Sequence, residues 1–153
     1  MPNLPLYAAF LNEFDFEIGG LRVLVHGWEF PELRGGKTAD SEFLIVTAEY
    51  RTTGASACAT GPIMEARDFN TLLDELQLMN EELRGQASFS TVEPNLAFSL
   101  AMGKRGNMAF EVAITADNMT QEHTFKTELD QSYLAVAIRG LTDVVRRYNN
   151  EPT

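Results

Sequence analysis

The chain has 153 residues, a length typical of one domain with a single hydrophobic core. Its 12 basic and 22 acidic residues give a net charge of -10 at pH 7, which repels nucleic-acid phosphates and anionic lipid surfaces. The composition therefore argues against direct binding to nucleic acid or to a membrane.

Two further features bear on the location of the protein. No apolar run approaches the roughly 20 residues that a membrane-spanning helix needs, so we expect no integral membrane segment. The first basic residue is Arg22, and Cys58 is the single cysteine. These features predict no secretory signal and no internal disulfide, and hence a cytoplasmic location.

The N-terminal part of the chain predicts a hairpin. Residues 1–12 show no clear period, and we expect them to form an irregular arm. Apolar residues then alternate with acidic ones from 14 to 18, and a second strand is predicted from 21 to 30. Gly19-Gly20 lies between these strands, and such a pair is typical of a tight turn.

A loop and two more strands follow the hairpin. Glycines and charged residues between 31 and 40 predict a mobile surface loop. A strand is predicted over 43–50, and its residues 43–46 are apolar on both faces, as expected of an internal strand covered on one side by a helix. A weaker strand of small residues is predicted over 55–64.

The hydrophobic period changes from 2 to 3.6 between Glu65 and Arg84, which predicts an amphipathic helix. Its apolar face carries Phe69, Leu72, Leu73, Leu76, Met79 and Leu83. Arg84 suits the negative end of the helix dipole, and Gly85 is the predicted C-cap.

The second half of the chain repeats this order. Strands are predicted at 87–92, 96–102, 108–116 and 123–127, followed by a helix at 131–148. The glycine-containing loop 103–107 predicts antiparallel pairing of its flanking strands. Asp130 is expected to cap the helix. The predicted buried stripe comprises Leu134, Ile138, Leu141, Val145 and Tyr148. Residues 149–153 are expected to be loose.

The order ββββαββββα predicts an α+β fold in one domain that spans residues 1–153. Short hairpin connections favour mostly antiparallel sheet, of about eight strands, because parallel strands would need crossover helices. The two amphipathic helices are expected to cover the apolar face of the sheet.

Few residues could support catalysis or metal binding. His26, Cys58 and His123 lie outside the short ligand spacings of zinc motifs, so no metal site is predicted. Ala57 and Ala59 flank Cys58, which favours a packed core thiol over a nucleophile. The chain contains neither a serine-hydrolase motif nor the Walker spacing of phosphate-binding loops. We therefore predict neither enzymatic activity nor a cofactor.

The segment around the 31–40 loop is the predicted contact surface for a partner. It combines aromatic and acidic side chains: Trp28, Glu29, Glu32, Asp40 and Glu42. Trp28 has a second interpretation, as an anchor in the core. The carboxylates also have a second interpretation, as surface charge that keeps the protein soluble.

Short motifs along most of the chain resemble the WapI-type immunity proteins and their bacterial relatives. They are Trp28-Glu29-Phe30-Pro31, Asp40-Ser41-Glu42-Phe43-Leu44-Ile45-Val46, the helix from Glu65, Ser88-Phe89, and Glu93-Pro94-Asn95-Leu96-Ala97-Phe98. The most specific of these is Glu93-Pro94-Asn95-Leu96 with an aromatic residue two positions later.

The resemblance implies a small cytoplasmic α+β protein that binds the toxic domain of a contact-delivered toxin, often a nuclease. It implies neutralisation by occlusion, in which an acidic face covers the active site of a basic toxin domain. The net charge of -10 is compatible, because opposite charge speeds encounter. The alternative from the residues alone is a bacterial domain that binds a small ligand or assembles with itself.

Overall fold

The computed structural model describes residues 13–33, 42–91, 93, 95–117 and 120–149. The predicted arm over residues 1–12 lies outside this part of the chain, as do most of the predicted 31–40 loop and residues 150–153 of the predicted loose end.

The described residues form an α+β fold in the predicted order ββββαββββα. The strands are β1 (Phe16–Ile18), β2 (Leu21–Trp28), β3 (Phe43–Thr52), β4 (Ala55–Glu65), β5 (Gln86–Ser90), β6 (Leu96–Met102), β7 (Asn107–Asp117) and β8 (Gln121–Asp130). The helices are α1 (Ala66–Glu82) and α2 (Ser132–Tyr148), and a short 3-10 turn, Pro31–Leu33, follows β2.

The strands form two antiparallel sheets of four, each with its strands in chain order. Strands β1 to β4 make the first sheet, and β5 to β8 make the second. Tyr50 of β3 stacks on Phe125 of β8, with ring centroids 4.3 Å apart, and so joins the two sheets. Alternation along most strands places apolar residues on one inner face, and these faces supply most of the buried core, whereas residues 46–50 of β3 are buried on both faces.

The two helices pack beside each other, with α2 also against β1 and α1 against β5. The buried face of α1 contains the predicted Phe69, Leu72, Leu73, Leu76 and Met79. The ends of the helices are tied together, because Asn149 Nδ2 donates a hydrogen bond of 2.9 Å to the carbonyl of Ala66. Each helix therefore closes one side of the core.

The predicted end of α1 is wrong. The helix stops at Glu82, and its C-cap is Leu83 in the left-handed conformation, with φ of 55°, where the backbone N–H bonds the carbonyl of Met79. Because the chain turns there, Leu83 is 46% exposed and lies off the buried face on which it was predicted. Gly85 adopts a left-handed conformation two residues later, where its carbonyl accepts a hydrogen bond from Met102 as β5 begins.

The start of α2 lies one residue beyond the prediction. Gln131 is the N-cap by position, but Asp130 supplies the capping carboxylate, which accepts hydrogen bonds from the backbone N–H of Ser132, at 2.8 Å, and from its hydroxyl. The fully buried stripe of the helix is Leu134, Ala137, Leu141 and Val144. Three predicted members, Ile138, Val145 and Tyr148, are partly buried at its margins.

Candidate functional site

Cys58 lies in β4 directly across from Glu49 of β3, on the opposite face of the strand from Ala57 and Ala59. The core thiol that was predicted is not seen, because the inward positions of this strand belong to Ala57 and Ala59, and Cys58 is only half-buried. Burial, and secondly the charge of Glu49 opposite it in β3, raise the pKa of the Cys58 thiol. A thiol of raised pKa is mostly protonated near neutral pH, so it is a poor nucleophile.

The two histidines lie in different sheets and do not assemble with Cys58 into a catalytic pair. His26 Nε2 is 2.7 Å from Thr47 Oγ1, which in turn is 2.7 Å from Thr60 Oγ1. His123 is paired across the second sheet with Ile114 of β7. Among the described residues, no group of three or more His, Cys, Asp or Glu side chains could hold a metal ion.

Trp28 ends β2 and anchors this end of the first sheet. Its ring meets that of Tyr148, the last residue of α2, edge to face, with centroids 5.6 Å apart and an interplanar angle of 75°. Trp28 is partly buried and packs against the core. This geometry supports the interpretation of Trp28 as a core anchor, and it fixes the chain that leads into the 3-10 turn.

The chain beyond Trp28 carries exposed apolar and acidic side chains. The backbone N–H of Glu29 bonds the carbonyl of Phe43 at 3.0 Å, so pairing with β3 continues past the end of β2. The next residues form the 3-10 turn, which is closed by a 3.0 Å bond from the N–H of Leu33 to the carbonyl of Phe30. Phe30 is 36% exposed and Leu33 is 38% exposed.

Four of the five predicted contact residues, Trp28, Glu29, Glu32 and Glu42, lie at this end of the first sheet. Glu29 is half-buried, whereas Glu32 and Glu42 are exposed. Glu42 directly precedes β3, in which Leu44 pairs with Trp28. Asp40 lies outside the described residues.

We call this surface the β2–β3 tip. It comprises Trp28, Glu29, Phe30, Glu32, Leu33 and Glu42. The pairing register shifts twice near the tip, by an extra residue in β2 between Val25 and Gly27 and by one in β4 between Gly61 and Met64, and bulges commonly re-aim side chains at such positions. The sequence prediction omitted Phe30 and Leu33 from the contact set. Phe30 directly precedes Pro31 at a strand end, and that placement was the available signal of an outward aromatic side chain.

The tip exposes two apolar side chains, Phe30 and Leu33, and two acidic ones, Glu32 and Glu42. Exposed apolar side chains at such a place can be buried against a partner, while the surrounding carboxylates stay partly solvated. No bond-making chemistry is required of these groups.

A model of the "Immunity protein WapI-like family" matches residues 13–149. No curated protein matches the chain. Within the described residues, no helix combines the length and apolar character that crossing a membrane demands.

Three plant structures resemble the fold at low identity. The plant transcriptional regulator PBF-2 is 11% identical, with a TM-score of 0.49 over 84% of this chain and 76% of that one. WHY1 from Arabidopsis thaliana is 13% identical, with a TM-score of 0.48 over 84% of this chain and 78% of that one. WHY3 from Arabidopsis thaliana is 10% identical, with a TM-score of 0.43 over 85% of this chain and 82% of that one. Likeness at this level carries no information about function.

Proposed function

This chain belongs to the Immunity protein WapI-like family, and from that premise we propose that it binds a protein toxin and blocks the toxin's active site. A protein of this kind works by occlusion and needs no catalytic group of its own. The raised pKa of Cys58 and the separation of the histidines agree with such a role. We expect the protein to act in the cytoplasm, where an incoming toxin domain would meet it.

The observation that carries the proposed contact is the composition of the β2–β3 tip. Phe30 and Leu33 expose apolar surface there, and Glu32 and Glu42 place carboxylates beside it. Large apolar side chains at the centre of an interface supply most of its affinity. Acidic groups at the border speed encounter with a basic partner and select against acidic ones.

The fold prepares the tip for binding. Trp28 is held against Tyr148, and the N–H of Glu29 is bonded to the carbonyl of Phe43, so the described residues that lead into the tip are already ordered. A surface ordered in advance loses less conformational entropy on association than a flexible one. Asp40 remains a predicted member of the same surface.

The partner we propose is a basic toxin domain, and the net charge of -10 supports this choice. A nuclease must attract phosphate, so its cleft carries basic side chains that an acidic surface can cover. Candidate toxins are the products of reading frames beside the gene for this chain.

The test measures binding of the purified chain to such a toxin domain by surface plasmon resonance. Reversing the two exposed border charges, Glu32→Lys with Glu42→Lys, is expected to slow association by about tenfold. Replacing the apolar centre, Phe30→Ala, is expected to speed dissociation by about tenfold. Toxin activity should recover in parallel with the loss of binding.

The matched control reverses two exposed carboxylates on β8, Glu122→Lys with Glu128→Lys. This variant has the same net charge as the tip variant but leaves the tip intact. Equal losses of affinity in both variants would show that only overall charge matters. Unchanged affinity in the tip variant and in Phe30→Ala would place the contact elsewhere and refute the proposal.

A further inference from the structure

A recess lies at the opposite end of the first sheet from the β2–β3 tip. The β1–β2 turn contains Gly19 and Gly20, and the β3–β4 turn contains Thr53 and Gly54, so the meander brings both turns to one end. The backbone N–H of Arg51 bonds the carbonyl of Gly20 at 3.0 Å. A Cβ on Gly20 would stand 2.6 Å from the carbonyl oxygen of Arg51, so the close approach of the two turns requires glycine.

The recess has a volume of about 560 Å³ and a polar lining. Its walls include the guanidinium-bearing Arg22 and Arg51, together with residues 52–54. Among the described residues that line it, two are cationic, two carry hydroxyl groups and none is acidic. This composition contrasts with the net charge of -10 of the whole chain.

Two nearby carboxylates, those of Glu17 and Glu49, offset part of the positive charge of the recess. Glu17 Oε2 is 3.7 Å from Arg22 Nε, and both side chains are about one-third exposed. Glu49 is paired with Arg22 across β2 and β3 and is buried. The guanidinium of Arg22 also lies over the Phe14 ring, with its central carbon 4.9 Å from the ring centroid. An exposed ion pair of this length is weak, and a guanidinium has five N–H donors around its edge, so Arg22 can keep these contacts and still donate to a second anion.

From these observations we propose that the recess binds a small oxyanion of the phosphate or carboxylate class. Arg51 and Arg22 supply the charge, because planar guanidinium groups match the oxygen geometry of both anions. The hydroxyls of residues 52 and 53 lie in the same wall and can donate to the anion oxygens. The site is independent of toxin binding, since it lies at the other end of the sheet.

The experiment titrates the full chain, without any partner, with inorganic phosphate and in a parallel series with acetate. Ionic strength is held constant with sodium chloride, and the readout is the NMR shift of the Gly20, Thr53 and Gly54 amides. Saturable shifts in these amides are expected with at least one anion. The anion that binds more tightly identifies the class of the natural ligand.

Two variants give effects of opposite sign. Arg51→Gln is expected to weaken binding by about tenfold, because it removes one charged donor. Glu17→Gln removes the carboxylate that competes for Arg22, so it is expected to tighten binding by about threefold. The controls are Arg105→Gln in the β6–β7 turn and Glu128→Gln on β8, which make the same charge changes far from the recess.

Absence of saturable shifts with both anions would overturn the proposal. Equal binding by Arg51→Gln and Arg105→Gln would also overturn it. Glu17→Gln keeps both arginines, so its expected gain in affinity stays testable even when Arg51→Gln fails to fold. None of these results depends on a toxin, so the toxin-binding proposal is tested separately by its own experiment.

Discussion

Gly140 lies where α2 crosses β1, and replacing it with alanine tests how tightly these elements pack. A Cβ at this position would lie 2.5 Å from the carbonyl oxygen of Asp15, 2.6 Å from the Cβ of Phe16 and 2.8 Å from its Cα. Real Cβ contacts are essentially never this short, so the helix or the strand must move. Two of the three atoms belong to backbone, which cannot rotate away as a flexible side chain can.

The expected magnitude is the difference between two opposing effects. Alanine is more favourable than glycine in the interior of a helix by about 1 kcal/mol. Overpacking a closely packed core by one carbon costs about 1–3 kcal/mol, and backbone contacts favour the upper end of that range. Gly140→Ala is therefore expected to lower the free energy of unfolding by about 2 kcal/mol, and the melting temperature by about 4–8 °C.

The assay is urea unfolding followed by circular dichroism, with Gly61→Ala as the matched control. At Gly61 an added Cβ meets its nearest atom, Ile63 Cγ2, at 3.5 Å, which is an ordinary van der Waals distance. The control is expected to change stability by less than about 0.5 kcal/mol. A Gly140→Ala variant that is as stable as the parent protein, or more stable, would refute the tight crossing of α2 and β1.

Four further predictions concern stability, toxin binding, thiol reactivity and the pH dependence of stability. Trp28→Ala is expected to lower the free energy of unfolding by about 2 kcal/mol, below the value for a fully buried Trp because the ring is partly exposed. Phe30→Ala should change the free energy of unfolding in urea by less than about 0.5 kcal/mol while it weakens toxin binding. If instead Phe30→Ala lowers stability and Trp28→Ala weakens binding, Phe30 is the structural residue and Trp28 the contact residue. Alkylation of Cys58 by iodoacetamide should require a higher pH than that of free cysteine, because burial and Glu49 raise the thiol pKa. If the alkylation rate of Cys58 rises at the same pH as that of free cysteine, or at a lower pH, this prediction is contradicted. The hydrogen bonds from Ser132 lower the pKa of Asp130 in the folded protein. The carboxylate therefore adds stability above the ordinary Asp pKa of about 3.9, and this stability is lost as the pH falls through the lower pKa of the folded state. The difference in thermal unfolding between Asp130→Ala and the parent protein should shrink over that range, and a difference that stays constant would disprove the linkage.

The sequence determined the number, type and order of the elements, because these depend on local periodicity. Alternation at β6 predicted its bounds, Leu96–Met102, and the change of period at Glu65 marked the start of α1 within one residue. Glycine-containing turns between apolar strands were enough to predict antiparallel pairing. The acidic and aromatic residues of the tip were also visible, since β2 and β3 flank one loop.

Only the tertiary structure decided how these elements share the core. Periodicity does not say whether eight strands form one sheet or two, because the division depends on contacts such as Tyr50 with Phe125, 75 positions apart in the chain. The placement of Cys58 across from the buried Glu49 and the packing of Trp28 on Tyr148 follow from that same arrangement. The arginine-lined recess joins turns more than thirty residues apart, and its existence follows from a backbone approach that glycine permits. Local propensity acts over a few residues, whereas each of these features is created when distant segments bury surface against one another.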